Sequence, residues 1–390
     1  MADNLLVLHG GGPTAVINAS LYGVITEAKK HHEIGKIYAA NGGTGGLLKK
    51  RLIDLTGIPA EKLALLLQSP ASAIGTSRDP LEAEDYAAML PVLREFGVKY
   101  LLMNGGNGTM DACGRLFAAC QGTDIRVVGI PKTMDNDIAV TDHAPGYGSA
   151  ARYIAGSVAE VVADVKSLPI HVVVVECSGR NAGWITAASA LAADCGVGGP
   201  DLIYLPERDF DEDAFLKDVA ALIAAKGCGV VAVSEGLHKA GGQPLVPPIF
   251  KVGRATYFGD VSAHLANLIV QKLGYKARSE KPGLLGRASI AWQSATDRDE
   301  AELAGREAVR AAVAGQSGKM VGFERVSQPG QPYLAKTFLI DTARVMLHEK
   351  KMPDEFINAA GNGVTEAFCT WCRPLLGGAL PKIVSFREEG

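Results

Sequence analysis

The segment "IPKTMDND", residues 130–137, places a lysine, a threonine and two aspartates directly after the apolar run "IRVVG". Carboxylates in such a position cap a helix, hold a metal ion or take a proton from a substrate. Phosphoryl transfer needs positive groups around the moving phosphate, an in-line nucleophile and a carboxylate that orients or deprotonates it. Lys132 is suited to neutralise developing charge, and Thr133 to donate to a phosphate oxygen. Asp135 is suited to accept the proton of a sugar hydroxyl, while Asp137 helps to hold Mg²⁺ or positions Asp135.

Other loops offer matching chemistry. "HGGGPTAVIN" (9–18) is a glycine run between an apolar strand pattern and a helix pattern, where backbone N–H groups can approach a phosphate. It loosely fits a dinucleotide fingerprint, but the acid expected about 20 residues on is missing, since "KIYAA" leads into Asn41-Gly42-Gly43. "NGGNGTMD" (104–111) is a second such junction, where Gly105, Gly106 and Gly108 clear space and Asn107 and Thr109 offer oxygens to a phosphate or its metal. It lacks the Lys-Ser/Thr ending of a Walker A loop. "IGTSRDP" (74–80) adds Arg78, whose fork of donors suits a phosphate oxygen. Arg180 follows another apolar run in "CSGRNAGW", and Arg278 and Arg287 lie close together in "ARSEKPGLLGRAS".

Positioning these loops requires strands that end where they begin. Strand patterns are read at 4–9, 36–40, 99–104, 126–130, 171–176, 201–206 and 229–235. Helix patterns are read at 15–31, 83–97, 109–121, 148–167, 212–226 and 255–273. Continuous apolar strands separated by helix-length segments indicate parallel sheet buried on both faces. The fold class is therefore α/β, doubly wound, with the Rossmann-like pattern present twice. In such sheets the chemistry sits beyond the carboxyl ends of the strands. The informative loops all lie at those ends.

Bulk properties narrow the choice. A chain of 390 residues exceeds one ordinary core and predicts two domains. The 47% hydrophobic and 21% charged content is that of a globular protein, and a net charge of −3 gives no electrostatic reason to expect nucleic acid or an anionic membrane. No apolar stretch reaches the roughly 18 residues of a membrane span. "MADNLLVLHGGG" has no basic stretch ahead of its apolar run, and seven scattered cysteines read as thiols of a reducing cytosol. "CTWC" (369–372) has redox-motif spacing without a second pair to complete a zinc site.

Taken in order, "GGGPTAVINA", "GTSR", "GGNGTMD", "PKTMDND", "GYGSAARYIA", "SGRNAGW" and "SEGL" resemble the 6-phosphofructokinases over residues 4 to about 290. That family phosphorylates the 1-hydroxyl of fructose 6-phosphate with Mg²⁺, using ATP in some branches and pyrophosphate in others. The resemblance implies the phosphofructokinase fold, with the active site in the cleft between two domains. The expected division is residues 1–146 with about 288–345 for the phosphoryl donor, and 147–287 with about 346–390 for the sugar phosphate. It implies Asp135 as general base, with Lys132, Thr133, Asp137 and Arg180 as its catalytic neighbours. Gly11, Arg78, Gly106, Asn107, Gly108 and Thr109 would face the donor. Ser178, Gly179, Arg180 and Glu235 would hold the sugar phosphate together with Thr133 and Asp135, Arg287 would bind its 6-phosphate, and Arg278 would reach in from an adjacent subunit. A homodimer or homotetramer follows from that crossing, and the cysteines read above make the expected location cytoplasmic.

The chain departs from the family at three positions. Asn107 stands where an aspartate usually contacts Mg²⁺, which leaves a weaker ligand beside Asp137. His171 stands where an arginine often comes from the partner subunit, and Leu284 where many relatives have a histidine beside the sugar phosphate. For the donor, Lys132 resembles the pyrophosphate branch and Gly108 the ATP branch. Thr44 replaces an aromatic that stacks on adenine, and Ala112 a glycine beside the nucleotide. These side chains favour pyrophosphate, with ATP as the alternative and a non-catalytic sugar-phosphate-binding subunit as a third reading.

Overall fold

The computed structural model describes residues 3–168, 170–252, 255–327 and 331–386. The chain divides into two compact units, Met1–Ser149 with Arg287–Lys350, and Ala150–Gly286 with Lys351–Gly390.

The first unit is built on β1 (Asp3–His9), β2 (Ile34–Ala40), β3 (Leu52–Asp54), β4 (Val98–Gly105), β5 (Arg126–Pro131), β14 (Lys319–Arg325) and β15 (Ala335–Asp341). They form one seven-stranded sheet in the order β15-β14-β5-β4-β1-β2-β3. The pairs joining β14, β5, β4, β1 and β2 are parallel. Both edges turn antiparallel, β3 against β2 and β15 against β14. The sheet is thus mixed rather than purely parallel, because short connections return the chain at its margins.

Side-chain alternation divides the core by face. Leu5, Val7, Leu102, Val128 and Ile130 pack under α1 (Ile17–Ala28) and α11 (Ala295–Val313), whereas Leu6, Leu8, Leu101, Met103 and Val127 pack under α4 (Ala83–Glu95) and α5 (Asn107–Ala119). Short helices α2 (Gly43–Leu48) and α3 (Ala60–Ala64) complete the edge beyond β2. Ser294 caps α11 by accepting from the Asp297 N–H at 3.2 Å.

The second unit carries β6 (Val172–Cys177), β7 (Leu202–Tyr204), β8 (Gly229–Ser234) and β13 (Ala277–Glu280), ordered β13-β6-β8-β7 and parallel throughout. α6 (Tyr147–Ser167) brings the chain into this unit, which also contains α7 (Trp184–Ala188), α8 (Glu212–Lys226), α9 (Val261–Leu273) and α12 (Glu366–Cys372). α10 (Leu285–Ala288) lies where the chain leaves for the first unit. Two small hairpins pair β9 (His238–Lys239) with β10 (Gln243–Pro244), and β11 (Pro248–Val252) with β12 (Ala255–Phe258). The helix pattern read over 255–273 is therefore a strand followed by a helix. Its first residues pair across the hairpin, and Asp260 takes the N-cap position ahead of Val261. Among the described residues no helix is long and apolar enough to cross a membrane.

Candidate active site

The glycine loop after β1 is built around a lysine. Lys132, only 3% exposed at the end of β5, donates from Nζ to the carbonyls of Gly10 at 3.1 Å and Gly12 at 2.6 Å. Gly11 between them has φ +76°, a conformation an L side chain rarely adopts. A methyl group on Gly12 would stand 2.6 Å from Arg287 Nη1 and 3.3 Å from Arg78 Nη2. Three cations therefore converge on one short stretch of backbone. Burial, with the neighbouring cations, lowers the pKa of two of them, Lys132 and Arg287. Burial, opposed by Asp135 and reinforced by Arg287 and Arg78, lowers Lys132 to about 8. Burial first, and then Arg78, lowers Arg287. Such a cluster is stabilised by an anion in its midst.

The loop after β4 lies against this one. Added methyl groups on Gly10 and on Gly105 would both collide with Thr109 Oγ1, so that side chain is wedged between two backbones. Gly108 has nothing within 4 Å of where a side chain would begin.

The 132–137 segment forms a compact turn. Thr133 Oγ1 donates to Asp137 Oδ1 at 2.8 Å and accepts from the Asp135 N–H at 3.1 Å. Asn107 Nδ2 donates to Asp137 Oδ2 at 2.9 Å. Burial raises the pKa of Asp137 despite the Thr133 hydrogen bond. Asn136, fully buried with φ +52°, bends the chain between the two aspartates. The next helix begins only at Tyr147, so neither aspartate caps one. The Asp135 carboxylate lies near enough to Lys132 and Arg287 to raise the pKa of both, against the effect of burial.

Buried polar groups hold this turn from behind. Asp297 accepts from the N–H groups of Gly146 at 2.8 Å and Ser149 at 2.9 Å, and from the Ser149 hydroxyl at 2.6 Å. Thr133 pairs with Gly146 in a parallel bridge. His143, 3% exposed, contacts Asp142 through Nδ1 at 2.8 Å and Glu300 through Nε2 at 2.7 Å. Tyr333 donates to Glu300 at 2.6 Å and stands 3.2 Å from the same Nε2, and Arg325 reaches Asp142 at 3.4 Å.

In the second unit, the ends of the adjacent strands β6 and β8 are knitted together. Glu235 accepts from the Gly179 N–H at 3.1 Å, and Ser234 donates to the Gly179 carbonyl at 2.7 Å. A side chain on Gly236 would collide with the Arg180 carbonyl, so the two backbones touch. Arg180 itself is exposed, Ser178 half-buried. Glu207 supports the far side of this loop by accepting from the Gly183 N–H at 2.9 Å. Its other oxygen is buried without a hydrogen-bond partner among the described residues, and burial raises its pKa.

Two groups of sequence-predicted residues therefore form. Gly11, Arg78, Lys132, Asp135 and Arg287 assemble in the first unit, with Gly106, Asn107, Thr133 and Asp137 adjoining. Arg287, assigned from the sequence to the sugar 6-phosphate, lies beside Arg78 at the glycine loop. Ser178, Gly179, Arg180 and Glu235 assemble in the second. His171 and Arg278 do not join them. His171 precedes β6 and bonds to the Lys276 N–H at 3.0 Å, and Arg278 pairs with Val173, both at the opposite end of the strands from Ser178. Leu284 is 68% exposed. Sequence reasoning missed His143, close by in the chain, and Asp297, Glu207 and Lys350, whose contacts with these loops come from distant segments.

For Mg²⁺ the residues present offer a minimal site. Asn107 Oδ1 is buried without a hydrogen-bond partner among the described residues, next to the Asp137 carboxylate. No group of three or more acidic, histidine or cysteine ligands occurs among the described residues. One carboxylate and one amide oxygen suit an ion that keeps most of its water and binds chiefly through substrate phosphates.

Residues 4–312 match the phosphofructokinase family model, and the chain belongs to that family. A pyrophosphate–fructose 6-phosphate 1-phosphotransferase of Xanthomonas campestris pv. campestris is 38% identical, aligned over 99% of this chain and 96% of its own. One from Rhodospirillum rubrum is 36% identical over 99% and 97%. The crystal structure of a pyrophosphate-dependent phosphofructokinase from Nitrosospira multiformis superposes with a TM-score of 0.89 at 33% identity, covering 100% of this chain and 95% of that one.

Proposed function

We propose that the protein transfers a phosphoryl group reversibly from pyrophosphate to the 1-hydroxyl of fructose 6-phosphate. The observation that carries this reading is the convergence of Lys132, Arg78 and Arg287 on the Gly11–Gly12 backbone, with Asp135 among them. A small, highly charged anion relieves that repulsion. The full-length relatives that are pyrophosphate-dependent phosphotransferases support the same donor.

In the proposed reaction Asp135 takes the proton of the 1-hydroxyl as its oxygen forms a bond to the terminal phosphorus. The bridging bond of pyrophosphate breaks, and the departing phosphate carries away the bond's electron pair. Lys132 and Arg78 hold the charge that collects on the phosphate oxygens. Thr133 fixes Asp137 and, through the Asp135 N–H, the base itself. Asn107 Oδ1 and Asp137 are the residues that would hold Mg²⁺, which supplies charge neutralisation to the phosphates when bound. Ser178, Gly179, Arg180 and Glu235 are proposed to bind the sugar phosphate, with Arg287 taking an anionic oxygen. A homo-oligomer belongs to the proposal, because Arg278 and His171 lie away from Ser178 in their own chain and are assigned to a neighbouring subunit's substrate. A cytoplasmic location goes with it.

The test is a coupled assay with fructose 6-phosphate and Mg²⁺, run in parallel with pyrophosphate and with ATP. Turnover with pyrophosphate and little with ATP is expected. Turnover with ATP alone would reject the donor assignment.

A further inference from the structure

The catalytic turn is gripped by a residue from a distant part of the chain. Lys350 lies more than two hundred positions after Asp137, at the end of the first unit. Its backbone N–H donates to the Asp137 carbonyl at 2.8 Å, and the preceding residue, Glu349, forms an antiparallel bridge with Ile138. Its side-chain nitrogen donates to the Thr141 carbonyl at 3.0 Å, the Asp142 carbonyl at 2.8 Å and Asn136 Oδ1 at 3.3 Å. The same Asn136 oxygen accepts from the Ala144 N–H at 3.1 Å. Asn136 sits in the left-handed region, where an L side chain costs energy unless its surroundings hold it. Asp135 and Asp137 are its immediate neighbours, so the direction of both carboxylates depends on that one bend.

We propose that Lys350 is a positioning residue for the phosphoryl-transfer reaction: its side chain and backbone lock the Asn136 bend and thereby aim Asp135 and Asp137. This rests on the reading of Asp135 as general base. The logic is geometric. Chemistry of this kind requires reacting atoms near van der Waals contact, and a misplacement of about 1 Å costs on the order of 10²-fold. A lysine suits the place because its terminal nitrogen reaches two carbonyls and one amide oxygen at once. A methionine of similar length would fill the space and satisfy none.

The experiment compares the wild type with Lys350→Met, Asn136→Gly and the double variant. kcat, the KM for each substrate and the melting temperature are measured for all four. Glycine retains the left-handed bend while removing the oxygen that Lys350 holds, so Asn136→Gly keeps the question answerable if Lys350→Met does not fold. Each single variant is expected to lose on the order of 10- to 100-fold in kcat, with KM values within about threefold of wild type. The double variant is expected to lose little more than the worse single, because both sever one linkage. A kcat within threefold of wild type in either folded single variant would overturn the inference. So would full additivity in the double variant, or a loss confined to KM. An inactive wild type would instead sink the proposed function, which keeps the two failures apart.

Discussion

The His143 cluster makes the stability of the first unit depend on pH in a direction that can be worked out. Burial alone would lower the imidazole's pKa, but Glu300 foremost, and then Asp142, outweigh it and raise His143 to about 9. Because the folded value lies above the ordinary 6.5, folding takes up a proton between the two. The stabilisation is complete below about 6.5 and is lost as the pH rises through about 9. At roughly 1.4 kcal/mol per pH unit, the interval corresponds to on the order of 3 kcal/mol. For a folding unit of this size each kcal/mol moves Tm by about 2–4 °C, giving on the order of 6–12 °C. The perturbation is His143→Gln, which fills a similar space and never carries a charge. Tm is recorded for both proteins from pH 6 to pH 10, so that groups titrating in both cancel. The gap between them is expected to be widest near pH 6 and to shrink by that amount at pH 10. A gap that stays constant, or widens with alkali, would refute the assignment of a buried imidazolium held by Glu300 and Asp142.

Further outcomes follow from the site. Asp135→Ala is expected to lower kcat by about 10²–10⁴-fold with modest change in pyrophosphate affinity, as measured by steady-state kinetics and calorimetry. Lys132 stands at about 8 in the ligand-free protein, so it sheds its charge as the pH rises through that value. The KM for pyrophosphate is expected to climb between pH 7 and pH 9.5, and to climb much less in Lys132→Arg, whose charge persists. Gly12→Ala sets a methyl 2.6 Å from Arg287 Nη1, and equilibrium binding is expected to show weakened affinity for pyrophosphate with little change in Tm.

Local patterns made the strand ends legible. β1, β4, β5, β6 and β8 were all readable as apolar runs, and the glycine and acid motifs follow them as written in the chain. What remained hidden depends on contacts between distant segments. Nothing local distinguishes Lys350 from its neighbour Lys351, yet the Lys350 side chain reaches the carbonyls of Thr141 and Asp142, just beyond the 132–137 turn. Asp297 reads as an ordinary first-turn helix acid, and only folding brings it to Gly146 and Ser149. β14 and β15 escaped because they lie beyond the recognisable motifs, and β15 is an edge strand with few buried positions. Residues 255–258 read as helix because their composition was pooled with the amphipathic run after Asp260.

Thr109 constrains where this site can vary. Its side chain bolts the two glycine loops into a single slab, so a substitution at Gly10 or Gly105 disturbs both at once. Gly108, one residue earlier, borders empty space. A side chain is excluded at Gly10 and Gly105, whereas Gly108 has room for one. Residue 108 is thus the place where the outline of this loop can change while the Thr109 wedge stays intact.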